Sequence, residues 1–169
     1  GLESEASLND DEFHAILRLG SDLINNYYEI SYPLKVTAFS ATTPEDIWPN
    51  DMDIILENLG KLKLLRYADG IPPNEIYPAY GAVSPSEDLE GYEIRVKGNP
   101  SLSNAKTMMI GVKNTTNYRQ SAELWFNELR VSEFDNNAGW AAVISADANF
   151  ADFADVSVTG RIETIGFGG

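Results

Sequence analysis

The sequence has no cysteine and only one histidine, His14. Without cysteine the chain has no disulfide and no thiolate for catalysis or metal binding, a composition compatible with the cytosol, the periplasm and the cell surface. The single imidazole lies at a predicted strand without a second histidine, so we expect a surface or half-buried residue and not a catalytic base. Most catalytic triads are thereby excluded.

Positive charge is also scarce, since 12 Lys and Arg stand against 26 Asp and Glu and give a formal net charge of −14. Such a surface repels phosphate backbones and anionic lipid headgroups, so nucleic acid is not expected as a partner. No apolar run reaches the roughly 20 residues of a membrane helix, and no signal-peptide pattern begins the sequence. Gly1 followed by acidic residues is typical of a segment cut from a longer protein.

The 169 residues are enough for one domain, and 43% of them are hydrophobic. A chain of this length can bury roughly 70% of the surface that its unfolded form exposes. Residues 1–12 are acidic and aperiodic, and we expect them to be a flexible lead-in. The structured part is therefore expected to begin at Phe13.

Alternation of apolar and polar residues predicts several strands. The predicted strands lie near 13–19, 27–36, 92–97, 106–114 and 124–131. Pro33 has no amide hydrogen for a ladder, so the second strand is expected to be at a sheet edge or to contain a bulge there. Residues 70–91, with four prolines and no sustained period, are expected to form a long loop.

One segment, "WPNDMDIILENLGKLKLLRYADG" (48–70), predicts a helix. Asn50 or Asp51 can cap it, and apolar residues from Met52 to Leu62 recur at helical spacing. Gly60 weakens this prediction, and "KLKLL" after it is alternatively a short strand. Several strands, one helix and no βαβ rhythm predict a mainly-β fold, an antiparallel β-sandwich of the jelly-roll type with one α-helix.

Two further alternating runs of about nine residues end the chain. Their apolar positions are Ala142, Ile144, Ala146, Ala148 and Phe150, then Ala154, Val156, Val158, Gly160 and Ile162. From the pattern alone they are either a hairpin that completes the sandwich or strands of a membrane β-barrel. The predicted division is therefore a sandwich module at 13–141 and an amphipathic hairpin at 142–169.

Catalytic carboxylates are not expected. Among 26 acidic residues, a pair such as Glu128 and Glu93 could serve glycoside hydrolysis if it stood in a cleft. The neighbouring Arg130 and Arg95 favour cross-strand ion pairs instead. The chain is predicted not to be an enzyme.

Two clusters are candidate calcium sites, Asp135 with Asn137 and Gly139, and Asn50 with Asp51 and Asp53. Neither has a downstream glutamate at the spacing of an oxygen-ligand loop, so a glycine turn and a helix cap are the preferred interpretations. No cofactor is predicted. Tyr27, Tyr28, Tyr77 and Tyr80 could form a sugar-stacking platform, but packing within the fold is preferred.

In "ELWFNELRV" (123–131), Asn127 falls on the face formed by Trp125, Leu129 and Val131. If that face is buried, the amide must be fully hydrogen-bonded and would fix the strand register. Trp140 is expected to lie where one module meets the next.

Longer segments carry a family resemblance. "RVKGNPSLSNAKTMMIGVKN" (95–114) and "ELWFNELRVSEFDNNAGWAA" (123–142), preceded by "NNYYEISYPLKV" (25–36) and "DIWPND" (46–51), resemble the SprA (Sov) family. Its members are very large outer-membrane proteins of the type IX secretion and gliding-motility machinery of Bacteroidetes. The matching motif positions are Gly98, Asn99, Pro100, Trp125, Asn127, Glu128, Arg130 and Trp140.

This resemblance implies a non-enzymatic structural or interaction module of an outer-membrane translocon. Its partners would be other translocon subunits or exported proteins, and it would reside at the outer membrane or cell surface. The resemblance also favours barrel strands for residues after Ala141. It implies a turn at Gly98 that needs glycine, a buried amide at Asn127 and a module boundary at Trp140. The alternative is a lectin-like carbohydrate-binding jelly-roll domain at the cell surface.

Overall fold

The structure is a computed structural model that describes residues 8–78, 91–132 and 143–151, with backbone alone for 131–132 and 143–151. Seven strands, two helices and a 3-10 turn lie in these residues. They are β1 (Phe13–Gly20), β2 (Tyr27–Pro33), α1 (Pro44–Ile47), β3 (Asn50–Ile55), α2 (Leu56–Ala68), β4 (Glu93–Lys97), the 3-10 turn (Leu102–Asn104), β5 (Thr107–Asn114), β6 (Glu123–Ser132) and β7 (Val143–Ala151).

The described strands form two sheets in which every strand pair is antiparallel. The first sheet has the order β4-β2-β1-β5 and the second has the order β3-β7-β6. The prediction of a mainly-β fold with antiparallel sheets is confirmed.

Alternation places one face of the first sheet in a core that it shares with β3 and α2. In β1, Phe13, Ala15, Leu17 and Leu19 are buried while the residues between them are half-buried. Phe13 and Ala15 pack with Leu34 in a small separate cluster, whereas Leu17 and Leu19 belong to the main cluster. The main cluster also contains residues from β2, β3, α2 and β4, which are Tyr28, Ile30, Met52, Ile54, Leu56, Leu59, Leu62, Ile94 and Val96. Burial of each large apolar side chain stabilises the fold by about 1.5–3 kcal/mol.

The expectation that Pro33 marks an edge strand or a bulge is wrong, because β2 lies between β4 and β1 without a register shift. The amide of Leu34 donates to the Phe13 carbonyl at 2.8 Å, so the nitrogen of Pro33 faces the other side, towards β4. There the pairing of β4 with β2 extends only to Ser31. Proline is tolerated because no ladder bond is missing.

The predicted helix is only partly correct. Residues Asn50–Ile55 form β3 instead, with Met52 and Ile54 buried and Asp51 and Asp53 exposed. Asn50 does not cap a helix: its side chain accepts from Lys35 N at 2.7 Å and donates to Lys35 O at 2.8 Å. This reciprocal pair ties β3 to the segment that follows β2.

Helix α2 begins directly after β3, and Ile55 at its N-cap makes no side-chain capping bond. Its buried residues include Leu59, Leu62 and Arg66, which share one face at helical spacing. Gly60 does not interrupt the helix, and "KLKLL" is helical, so the strand alternative is wrong. Before β3, residues Pro44–Ile47 form the short helix α1, which is capped by the hydroxyl of Thr43.

Strand β6 contains a bulge that the sequence pattern did not predict. Phe126 pairs with Ala148 and Leu129 pairs with Ala146, so three steps in β6 match two in β7. The extra residue reverses the alternation. As a result Leu124 and Leu129 both pack against the core, although their numbers differ in parity.

Strand β7 occupies the middle of the second sheet. It pairs with β3 from Asn50 to Ile55 and with β6 from Glu123 to Ser132. The first alternating run of the tail is therefore hydrogen-bonded to strands of the predicted sandwich module. The second run, 154–162, lies outside the described residues, and the boundary predicted at 141 stays a prediction.

Candidate functional site

The motif turn at Gly98, Asn99 and Pro100 requires glycine at its first position. Gly98 has a φ of +73°, and a Cβ there would lie 2.0 Å from the Asn25 carbonyl oxygen. Its amide donates to the Pro73 carbonyl at 2.7 Å. The implied role of Gly98 follows from this geometry, since only glycine combines a positive φ with so close an approach.

Helix α2 holds this turn through two cations. The Arg66 guanidinium, on a residue that is 5% exposed, donates to Gly98 O at 2.6 Å, and Lys63 Nζ donates to Pro100 O at 2.9 Å. Burial, followed by the charge of Arg66, lowers the pKa of Lys63. Among the described residues no carboxylate lies within 4.0 Å of either cation. Their charge is directed at backbone carbonyls, which anchors the turn to the helix.

A loop before β2 holds the other side of the turn. The Asp22 carboxylate accepts the amide of Asn25, the side-chain amide of Asn26, and the backbone amides of Ile24 and Asn26. These bonds, the one from Asn25 first, lower the pKa of the carboxyl far below the ordinary value. Asn26 Oδ1 then accepts the amide of Asn99 at 3.1 Å. The turn is therefore fixed from two directions. Sequence reasoning missed Arg66, although its spacing from Leu59 and Leu62 placed it on the core face.

The motif residues of β6 are more exposed than predicted. Trp125 is 60% exposed and donates its Nε1 hydrogen to Glu123 at 2.7 Å. Asn127 is exposed, so the expected buried amide is wrong. Trp125 lies before the register shift and is exposed, Asn127 lies within the shift, and Leu129 after it packs against the core. Glu128 and Arg130 form an ion pair at 2.9 Å within the same strand. Trp140 lies outside the described residues.

The carboxylates weighed for catalysis do not share a strand pair. Glu93 lies in β4, at one edge of the first sheet, and Glu128 lies in β6, at one edge of the second. Glu93 pairs with Arg95 at 3.4 Å within β4. The predicted cross-strand pairing is made by Arg95 with Glu29 at 3.5 Å, and Glu29 also pairs with Arg18 of β1.

His14 is half-buried, in agreement with the prediction for it. Its Nδ1 lies 2.8 Å from the Ser31 hydroxyl on the neighbouring strand. Burial lowers the pKa of the imidazole. The ring is thus engaged in a contact between β1 and β2.

The calcium candidates differ in what the structure describes. Asn50 is buried on one face of β3, whereas Asp51 and Asp53 are exposed on the opposite face, so the three side chains do not converge. Residues 135, 137 and 139 lie outside the described residues. Within the described part, no three His, Asp or Glu side chains are grouped as metal ligands would be.

The tyrosine platform is wrong for its described members. Tyr27, Tyr28 and Tyr77 are at most 7% exposed. Tyr27 stacks under Arg18, whose guanidinium carbon lies 4.1 Å from the ring centroid, and Tyr77 donates its hydroxyl to Asp69 at 2.6 Å. These rings pack within the fold, as the preferred interpretation predicted. Tyr80 lies outside the described residues.

Exposed apolar side chains occur on β5 and β6, each at one edge of its sheet. Met108 and Val112 project on the core side of β5, next to Leu19 and Ala15 in register, yet they are 38% and 40% exposed. Phe126 of β6 is 39% exposed. An apolar surface exposed at neighbouring positions is typical of an interaction site.

The charge of this region also differs from the rest of the chain. Residues 94–122 contain Arg95, Lys97, Lys106, Lys113 and Arg119 but no Asp or Glu. The remaining residues contain all 26 carboxylates. Sequence analysis missed this basic segment, which a running count of charge would have found.

Comparison with protein families confirms the resemblance found in the sequence. The family model SprA_N, described as "Motility related/secretion protein", matches residues 2–169. No curated protein matches the chain. Within the described residues, neither helix has the length and apolar character needed to cross a membrane.

Proposed function

Because this chain belongs to the SprA_N family of motility related/secretion proteins, we propose that it is a non-enzymatic structural and interaction module of an outer-membrane translocon. In this role it supports type IX protein secretion and gliding motility. Its partners are other translocon subunits or exported proteins, and its place is the outer membrane or cell surface.

One observation carries the non-enzymatic part of this proposal: the polar groups that sequence analysis weighed for chemistry bond to the fold where they are described. His14 contacts Ser31, and Glu93 forms an ion pair with Arg95. The Asn50 side chain is hydrogen-bonded to both the amide and the carbonyl of Lys35. Several apolar side chains of the edge strands β5 and β6, by contrast, are more than one third exposed. Such an arrangement favours binding of a polypeptide over catalysis.

The turn at Gly98 supports the structural part. Arg66, Lys63 and Asn26 fix it through backbone groups, which makes this end of the module rigid. A rigid end can hold neighbouring parts of a large assembly in a fixed relative position. By contrast, no contact in the described residues favours the lectin-like alternative, since Tyr27, Tyr28 and Tyr77 of the tyrosine group are buried.

Deletion of residues 13–141 from the full-length parent protein tests the role in export. We expect the deletion to reduce secreted protein in the medium and surface spreading, with the parent still present in the outer membrane. Glu128→Gln in the parent is the matched control for catalysis. It is expected to leave export unchanged, because the ion pair that Glu128 forms among the described residues is with the exposed Arg130.

Two results would contradict the proposal. Normal export and normal recovery of partner subunits after the deletion would remove the role in secretion. Loss of export in Glu128→Gln at unchanged protein abundance would indicate that this carboxylate performs chemistry.

A further inference from the structure

The free edges of the two sheets differ in how they are protected against pairing with another strand. An exposed sheet edge presents unpaired amide and carbonyl groups, and folded proteins protect such edges with bulges, charges, proline or covering segments. Four described strands lie at sheet edges, namely β4, β5, β3 and β6. Three of them show a protective device.

At β4, residue Tyr77 forms an isolated bridge with Val96, with backbone bonds of 2.9 and 2.7 Å. At β3, the amide of Asp53 donates to the Tyr92 hydroxyl at 3.1 Å, and the carboxylates of Asp51 and Asp53 are exposed. Strand β6 has the bulge after Phe126 and the charged pair Glu128 and Arg130.

Strand β5 has no bridging segment, side-chain contact or bulge at its outer side in the described structure. Its eight residues pair with β1 without a register shift, contain no proline and include only one charged residue, Lys113. No described strand pairs with its outer side. We call the outer side of Thr107–Asn114 the open edge.

The hydrogen-bonding groups of the open edge follow from the ladder. Thr115 N donates to Glu12 O, and Leu34 N donates to Phe13 O, so even residues of β1 bond to odd residues of β5. The amides and carbonyls of Met108, Ile110 and Val112 therefore point away from β1. Their side chains lie on the core side, where Met108 and Val112 are more than one third exposed.

We propose that the open edge binds an extended, acidic strand of another polypeptide by β-strand addition. The backbone groups of Met108, Ile110 and Val112 supply the ladder, and the exposed apolar side chains beside them receive every second side chain of the incoming strand. This inference rests on the proposed role as an interaction module and names the surface and the chemistry of the partner.

The positive charge around the open edge favours an acidic strand as its binding partner. The segment 94–122 has five cations and no carboxylate in a chain of net charge −14. Lys106 and Lys113, at the two ends of the open edge, are both exposed. A strand with carboxylates near its ends matches these cations, whereas a basic strand is repelled.

The test uses the purified 169-residue chain and a nine-residue peptide in which valine alternates with threonine and glutamate stands at both ends. Val112→Pro removes an amide hydrogen that points outwards, so no bond to β1 is lost, and proline is tolerated at an edge. Val112→Thr is the matched control, because it changes the side chain and keeps the amide. Far-UV circular dichroism verifies that both variants fold.

We expect the peptide to shift the amide resonances of Met108, Ile110 and Val112. Val112→Pro should weaken binding at least tenfold, and Val112→Thr should stay within about threefold. A second peptide with lysine in place of glutamate should bind at least fivefold more weakly, with a smaller difference at high salt. Equal binding by the proline variant, or equal binding of the two peptides, would overturn the proposal.

Two other occupants give different results. If the chain's own residues cover the edge, hydrogen exchange of the free chain will show these three amides protected at every concentration. If a second copy covers it, protection will rise with concentration and sedimentation will show a dimer that Val112→Pro dissociates. Either result overturns the proposal. Neither bears on the deletion experiment, which tests the role in export separately.

Discussion

The motif turn at Gly98 and the open edge of β5 are separated by only six residues of sequence, 101–106. They differ in whether their backbone amides and carbonyls have hydrogen-bond partners among the described residues. At the turn, the carbonyls of Gly98 and Pro100 and the amide of Asn99 each have a side-chain partner. At the edge, no described strand meets the outward groups of β5.

This difference indicates that two neighbouring segments of the chain have different roles, the turn in holding the fold and the edge in binding. The turn is fixed by specific polar contacts, which are costly to change because a buried group left without its partner loses about 1–3 kcal/mol. The edge has little stability to lose from substitution. A module built to hold position and to bind a strand would need both properties.

The largest effect is expected from Gly98→Ala. The new Cβ would lie 2.0 Å from the Asn25 carbonyl oxygen at a φ of +73°. A non-glycine residue at such a φ costs about 1–3 kcal/mol, and the overlap adds to it, so we expect a loss of about 3 kcal/mol or more in urea unfolding. Gly60→Ala is the control, since no atom lies within 4 Å of its Cβ. It should stabilise the chain by about 0.5–1 kcal/mol. Equal effects of the two substitutions would contradict the comparison.

Arg66→Met should have a smaller effect than Gly98→Ala. The methionine keeps an apolar stem in the buried site but removes the donor to Gly98 O. We expect a loss of about 2 kcal/mol in the free energy of unfolding, the value of a hydrogen bond to a charged group. Lys61→Met, on the exposed side of α2, should change it by less than about 0.5 kcal/mol. Indistinguishable unfolding curves would show that the cation does not anchor the turn.

A third test concerns the connection that follows β5. Glu12 has its pKa lowered from 4.5 to about 2, first by the hydroxyl of Tyr118 and then by Gln120 and Asn9. Because the folded pKa is depressed, this carboxylate stabilises the fold above about pH 4.5, and the contribution is lost as the pH falls towards 2.

Tyr118→Phe should raise the pKa of Glu12 towards 4.5, as followed by carboxyl carbon resonances, because the first of these hydrogen bonds is lost. Tyr67→Phe is the control, since Tyr67 is 86% exposed on α2. An unchanged titration in Tyr118→Phe would mean that the Tyr118 hydroxyl does not hold the Glu12 carboxylate.

Alternation predicted the strands whose one face is buried. In β4 the apolar residues and the buried residues coincide, and in β1 every second residue from Phe13 to Leu19 is buried. A strand with one buried face places alternate side chains in the core. Segment 50–68 was harder, since β3 passes into α2 without a turn or a polar cap. The exposed Asp51 and Asp53 were the signal for a strand, and the helical spacing of later leucines obscured it.

The site was less predictable than the fold. The need for glycine at 98 followed from the resemblance, but its reason lies in Asn25, which is distant in sequence. The bulge in β6 depends on its register with β7, so sequence alone placed Asn127 on a buried face. The open edge depends on strand order, which no local pattern encodes. Of the properties of the open edge, only the positive charge of its segment could be found from the sequence.

The smallest effect is expected at the open edge. Met108 and Leu19 are register neighbours on the same face, but Met108 is 38% exposed and Leu19 is 9% exposed. Leu19→Ala should cost about 2–4 kcal/mol, as for a buried leucine, and Met108→Ala less than about 1 kcal/mol in urea unfolding. The difference arises because the core covers β1 and only partly covers β5. If Met108→Ala were as costly as Leu19→Ala, the side chain would already be covered in the free chain, and the edge would not be available to a partner.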